Sequence, residues 1–112
     1  MIFYHNPRCR KSRETLEIIR NKGIEPEIVE YLKEPLTVDQ LKEIVQKLGI
    51  NASDLLRKGE AIYKEEFKGK ELSEEEWLYA MAEYPVLMER PVVVKGEKAV
   101  LGRPPENVNE LL

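Results

Sequence analysis

Ile2-Phe3-Tyr4-His5-Asn6-Pro7-Arg8-Cys9-Arg10-Lys11-Ser12-Arg13 carries the chain from an apolar run, through a turn, into a basic stretch with helical spacing. Ile2 to Tyr4 reads as a short buried strand, and Asn6-Pro7 ends it. The helix that follows is predicted from about Arg10 to Lys22. Leu16 and Ile19 share one face with Ile18 beside them, and Gly23 stands where a left-handed C-terminal residue is wanted. Ile28, Val29 and Tyr31, within Pro26 to Leu32, supply a second strand. A strand, a helix and a strand in succession make a β-α-β unit, which implies parallel strands and a right-handed crossover.

Downstream, the pattern turns helical. Thr37 with Gln40 forms a capping box ahead of Leu41, Ile44, Val45 and Leu48, and Gly49 closes that helix. Asn51-Ala52-Ser53-Asp54 can start a short helix carrying Leu55, Leu56 and Arg57. Ser73 with Glu76 repeats the capping box before Trp77, Ala80, Met81 and Tyr84, and Pro85 interrupts the pattern. Trp77, Tyr79, Met81 and Tyr84 read as core or surface of the inserted helices rather than as a binding cage, and Tyr63 and Phe67 as packing residues. Val92-Val93-Val94, a turn around Lys95-Gly96-Glu97, and Lys98 to Leu101 read as a β-hairpin, and Pro104-Pro105 opens a final short helix. The order β-α-β, helices, β-hairpin, helix is that of an α/β thioredoxin-like fold with a mixed four-stranded sheet. A single domain over residues 1–112, with a helical insert from about 36 to 89, is the expected organisation.

The bulk numbers narrow the function. The chain has 112 residues, 42% of them hydrophobic, enough for one modest core. Eighteen basic against twenty-one acidic residues give a net charge of −3, so no nucleic-acid partner is expected and any anion must be captured locally. The apolar start is cut short by His5-Asn6-Pro7 and no stretch is long enough to span a bilayer, so neither a signal peptide nor a membrane partner is expected. One cysteine cannot form an internal disulfide, which fits a thiol kept reduced in the cytoplasm. No long apolar stripe is left over, and a monomer is expected.

Cys9 stands where strand gives way to helix, close to the free N–H groups of the first turn. Arg8, Arg10, Lys11 and Arg13 surround it, and the Ser12 hydroxyl three positions on can reach back to donate to sulfur. Each influence lowers a thiol pKa. A lone cysteine can equally be a small buried hydrophobe, but this placement favours a reactive thiol. His5, the only histidine, could assist as a cation or a hydrogen-bond donor, or simply bond a loop carbonyl. Arg10 and Arg13 read as a solvated helix face. Ser12 occupies the second position of a Cys-x-x-Cys motif, so an external thiol must resolve any mixed linkage. A Cys-x5-Arg phosphatase loop is absent, since Thr15 is the sixth residue after Cys9, and one cysteine with one histidine falls short of a zinc site.

Tyr4-His5-Asn6-Pro7-Arg8-Cys9-Arg10-Lys11-Ser12-Arg13, Leu55-Leu56-Arg57, Arg90-Pro91-Val92-Val93 and Gly102-Arg103-Pro104 together resemble the glutaredoxin-linked arsenate reductase family, over essentially the whole chain. The resemblance implies Cys9 as nucleophile and Arg57, Arg90 and Arg103 as the oxyanion-binding arginines. The thioredoxin-like fold makes Pro91 the candidate for a cis proline beside the cysteine, while His5 and Ser12 stand as thiolate-stabilising candidates on their placement beside Cys9. Planar guanidinium groups suit that task, because they meet an oxyanion in bidentate fashion. The implied reaction joins Cys9 to arsenate with loss of water. Glutathione then attacks as co-substrate, glutaredoxin removes the mixed linkage, and arsenite is released, with no bound cofactor and no metal. Two alternatives share the fold. One is a transcriptional regulator similar to Spx that binds RNA polymerase, whose usual Cys-x-x-Cys switch Ser12 would break. The other is a glutathione-dependent thiol reductase of another substrate.

Overall fold

A computed structural model describes all residues from Met1 to Leu112. The chain divides into two compact units, one formed by Met1–Glu34 with Arg90–Leu112 and the other by Pro35–Glu89.

The first unit holds the sheet. Strand β1 (Ile2–Tyr4) leads into helix α1 (Arg10–Asn21), followed by β2 (Glu27–Val29) and, after the excursion into the other unit, β3 (Val92–Lys95) and β4 (Lys98–Leu101). The strand order is β2-β1-β3-β4, with β1 parallel to β2, antiparallel to β3, and β3 antiparallel to β4. This is the predicted mixed sheet. Residues alternate across a strand, so Phe3 and its register partner Val93 face the same side. There they meet Leu16 and Ile19 of α1 and Val108 and Leu111 of the last element, a 3-10 helix at Pro105–Leu111. Leu16 and Ile19 are one turn apart, which explains why α1 is held by that stripe while Arg10, Lys11 and Arg13 stay exposed. Gly23 has φ +78°, a conformation that costs glycine nothing, and its N–H closes the end of α1 on the Arg20 carbonyl.

The second unit is built mainly of helices. Helix α2 (Val38–Leu48) begins with the predicted capping box: Gln40 N–H donates to Thr37 Oγ1 at 3.1 Å, and Thr37 N–H donates to Gln40 Oε1 at 2.8 Å. Helix α3 (Glu74–Glu83) repeats the device with Ser73 and Glu76. The Asn51 segment gives a 3-10 turn over Ala52–Leu55, and Leu56 leaves it to form a bridge with Met88. Between them lies a feature the sequence reading did not anticipate, a π-helical turn at Tyr63–Phe67. Tyr63 and Phe67 lie against the buried Trp77, with ring centroids 6.2 and 5.7 Å away, and Phe67 also meets Tyr84 edge-on. Tyr63, Phe67, Trp77 and Tyr84 pack on one another, and Tyr79 is mostly exposed on the surface of α3. No helix is long and apolar enough to cross a membrane.

Candidate active site around Cys9

Cys9 is the N-cap of α1, with extended backbone geometry and a side chain only 8% exposed. The loop before it is fixed by its own hydrogen bonds. Cys9 N–H donates to the Asn6 carbonyl at 2.9 Å, and Arg8 N–H to Asn6 Oδ1 at 3.0 Å. Burial pushes the thiol pKa up, but it is outweighed. The Ser12 N–H, the Arg90 guanidinium through both a hydrogen bond and its charge, and the Lys11 N–H together hold the thiol below its ordinary value. A negative sulfur at the open end of a helix accepts N–H groups that have no partner inside the helix.

The guanidinium groups arrive from the far end of the chain. Arg90 precedes β3, and Arg103 follows β4. Arg103 Nε donates to the Arg90 carbonyl at 2.7 Å while its Nη2 lies 3.7 Å from Cys9 Sγ. The Arg90–Pro91 peptide is cis, and so is Arg103–Pro104. Gly102 allows this convergence. It is buried, and a Cβ there would come within 2.6 Å of Thr15 Oγ1 and 2.7 Å of Pro91 Cγ.

Ser12 acts on sulfur differently from the expectation. Its N–H serves the thiolate, whereas its fully buried hydroxyl is engaged elsewhere, accepting the Asn6 N–H at 3.1 Å and meeting His5 Nδ1 at 2.6 Å. His5 therefore bonds the Ser12 hydroxyl rather than sulfur. Burial lowers its pKa, opposed by Glu30 and assisted by Arg20 and Arg13, which favours the neutral ring over the cation, one of the roles left open for it. A neutral imidazole needs only one donor and one acceptor, and Nδ1 can take the Ser12 O–H. Arg10 pairs with Glu14 at the surface and Arg13 donates to the Pro7 carbonyl at 2.9 Å, so both remain outside the site.

Arg57 belongs to the second unit. Its N–H donates to the Leu87 carbonyl at 2.7 Å, its Nε to Glu60 at 3.1 Å, and its Nη1 lies 3.8 Å from Glu89. The structure thus gathers Arg90 and Arg103 at Cys9 and gives Arg57 two carboxylate neighbours. Sequence reading missed those carboxylates and the tight packing of Gly102. Only the Gly102-Arg103-Pro104-Pro105 string offered a signal, as a concentration of residues that constrain the backbone.

A family model described as the ArsC family matches residues 4–111. The chain belongs to the ArsC family. This ArsC chain is 45% identical to an arsenate reductase of Haemophilus influenzae, over all of the chain and 98% of the relative. It is 41% identical to an arsenate reductase of Escherichia coli, covering 97% of the chain and 78% of the relative. Among solved structures, an arsenate reductase from Vibrio cholerae superposes with a TM-score of 0.95 at 46% identity, over 99% of the ArsC chain and 96% of the other.

Proposed function

We propose that this protein reduces arsenate to arsenite, with Cys9 as nucleophile and external thiols as the source of electrons. The observation that carries the reading is the convergence of Arg90 and Arg103 on a sulfur capping a helix N-terminus. A thiolate in that setting attacks the five-valent arsenic, a sulfur–arsenic bond forms, and one arsenate oxygen leaves as water after protonation. Arg90 and Arg103 meet the remaining oxyanion charge, which grows more valuable as water is excluded. Arg57 enters as a third guanidinium on the family resemblance. With Glu60 and Glu89 beside it, it would exchange carboxylate oxygens for arsenate oxygens.

Two thiols complete the reaction. Each gives one electron to arsenic and they leave joined as a disulfide. Water then cleaves the bond between Cys9 and three-valent arsenic, returning the Cys9 thiol, so that the net change is arsenate and two thiols to arsenite, a disulfide and water. Ser12 stands where a resolving cysteine would be, so both thiols come from outside the chain, in this reading from glutathione with glutaredoxin clearing the mixed linkage. No bound cofactor is needed. Steady-state reduction of arsenate with glutathione and glutaredoxin tests the proposal: the wild type should turn over, and Cys9→Ser should lose at least about a thousandfold, as expected for removal of a nucleophile. Retention of turnover in Cys9→Ser would overturn it.

A further inference from the structure

We propose that Asn107 is a positioning residue that holds the Arg103 guanidinium in place for the substrate oxyanion. The inference rests on the arsenate reading for its substrate but concerns a side chain that lies outside the reacting groups. Asn107 sits in the C-terminal 3-10 helix, where its N–H donates to the Pro104 carbonyl at 3.0 Å. Its side-chain amide reaches back across the turn. Nδ2 donates to the Leu101 carbonyl at 3.2 Å and to the Arg103 carbonyl at 3.1 Å, the two carbonyls that flank Gly102.

The clasp acts on a turn with little freedom left. Arg103 N–H donates to the Leu101 carbonyl at 2.9 Å, and Gly102 N–H donates to the Pro91 carbonyl at 2.9 Å. On its inner side Gly102 is pressed against Thr15 and Pro91. Thr15 is itself tied by its hydroxyl to the Lys11 carbonyl at 2.7 Å, in the first turn of α1. The backbone of 101–103 is thus held from within by α1 and β3 and from the C-terminal helix by one amide group. Arg103 leaves this turn to place Nε on the Arg90 carbonyl and Nη2 beside Cys9. A long side chain keeps a fixed geometry only if its own Cα is fixed, and small displacements of a binding group are costly to positioning.

This arrangement separates two roles. The groups that lower the thiol pKa are the Ser12 and Lys11 N–H groups and Arg90, and neither hydrogen bond of the Asn107 amide goes to any of them. Oxyanion capture by Arg103 depends on the clasp. Asn107→Leu keeps the branched shape of the side chain and removes both donors, and Asn107→Asp places a carboxylate against two carbonyls. The expected result for Asn107→Leu is an arsenate KM raised about five- to tenfold, the scale of one or two lost hydrogen bonds, with kcat within about twofold. The Cys9 alkylation midpoint should stay where it is, and Asn107→Asp should raise KM further.

Two measurements separate positioning from general loosening. In an Arg103→Ala background, Asn107→Leu should add almost nothing to KM, because the group it positions is gone. Protection of Cys9 from alkylation by arsenate or sulfate, which needs no turnover, should demand a correspondingly higher anion concentration in Asn107→Leu. Additive effects of the two substitutions, a shifted Cys9 midpoint, or protection curves that superimpose on wild type would overturn the inference. So would a wild type that no oxyanion protects. Protection without turnover would instead refute the arsenate reading and leave the role of Asn107 standing.

Discussion

At the scale of the residue, Cys9 owes its acidity to opposed forces. Burial disfavours the charged sulfur, and the Ser12 N–H, Arg90 and the Lys11 N–H more than offset it. Removing the largest side-chain contributor should show this: in Arg90→Ala the pH midpoint of iodoacetamide alkylation should rise toward the ordinary thiol value of about 8.5. The wild-type midpoint should lie below it. The same shift links to stability. A thiol more acidic in the folded than in the unfolded chain stabilises the fold fully above the unfolded pKa, and that contribution is lost as pH falls through the folded value. Urea midpoints compared for wild type and Cys9→Ser across neutral to alkaline pH should therefore diverge as pH rises, in favour of wild type. Parallel curves would mean that the sulfur is not ionised preferentially in the folded state. The candidate nucleophile was legible from Cys9 alone among basic neighbours, because helix ends carry free N–H groups wherever they occur. The role of Ser12 was only half legible. Its type suggested a hydroxyl donor to sulfur, yet the backbone path decides which of its groups faces which neighbour, and the hydroxyl went to His5 and Asn6.

Elements here begin where short-range chemistry says they should. Both capping boxes form as read from Thr-x-x-Gln and Ser-x-x-Glu, since their partners lie within one turn and need no tertiary contact. Replacing Thr37 by alanine should cost about 1 kcal/mol in a denaturant titration. The α3 box adds a pH signature. The Ser73 N–H and hydroxyl hold the Glu76 carboxyl below its usual range, so its contribution is present above the unfolded carboxylate pKa and disappears as acid takes the pH through the folded value. In Glu76→Gln that part of the acid-side stability loss should vanish, and an unchanged acid limb would refute the assignment. The π-helical turn at Tyr63–Phe67 escaped prediction for the opposite reason: its neighbours are Trp77 and Tyr84, distant in sequence, and no local signal distinguishes it from an irregular loop.

For the molecule as a whole, the sheet-bearing unit is one cluster of Phe3, Leu16, Ile19, Val93, Val108 and Leu111, drawn from both ends of the chain. Ile19→Ala, at a site with no exposure, should destabilise by about 2–5 kcal/mol through lost transfer energy and a cavity, read as a lower urea midpoint. A loss of under about half a kcal/mol would mean that α1 is not anchored through this cluster. Sequence by itself determined the α/β class, the order of elements, the helix starts and the placement of Cys9 at a helix N-terminus. All of these follow from periodicity, capping and composition within a few residues of each other. The tertiary structure alone decided that Arg90 and Arg103 meet on one sulfur, that Gly102 must lack a side chain, and that Asn107 closes over the turn between them. Those are contacts between segments far apart along the chain, and their geometry depends on how the β-hairpin and the last helix pack on α1, which no local pattern encodes.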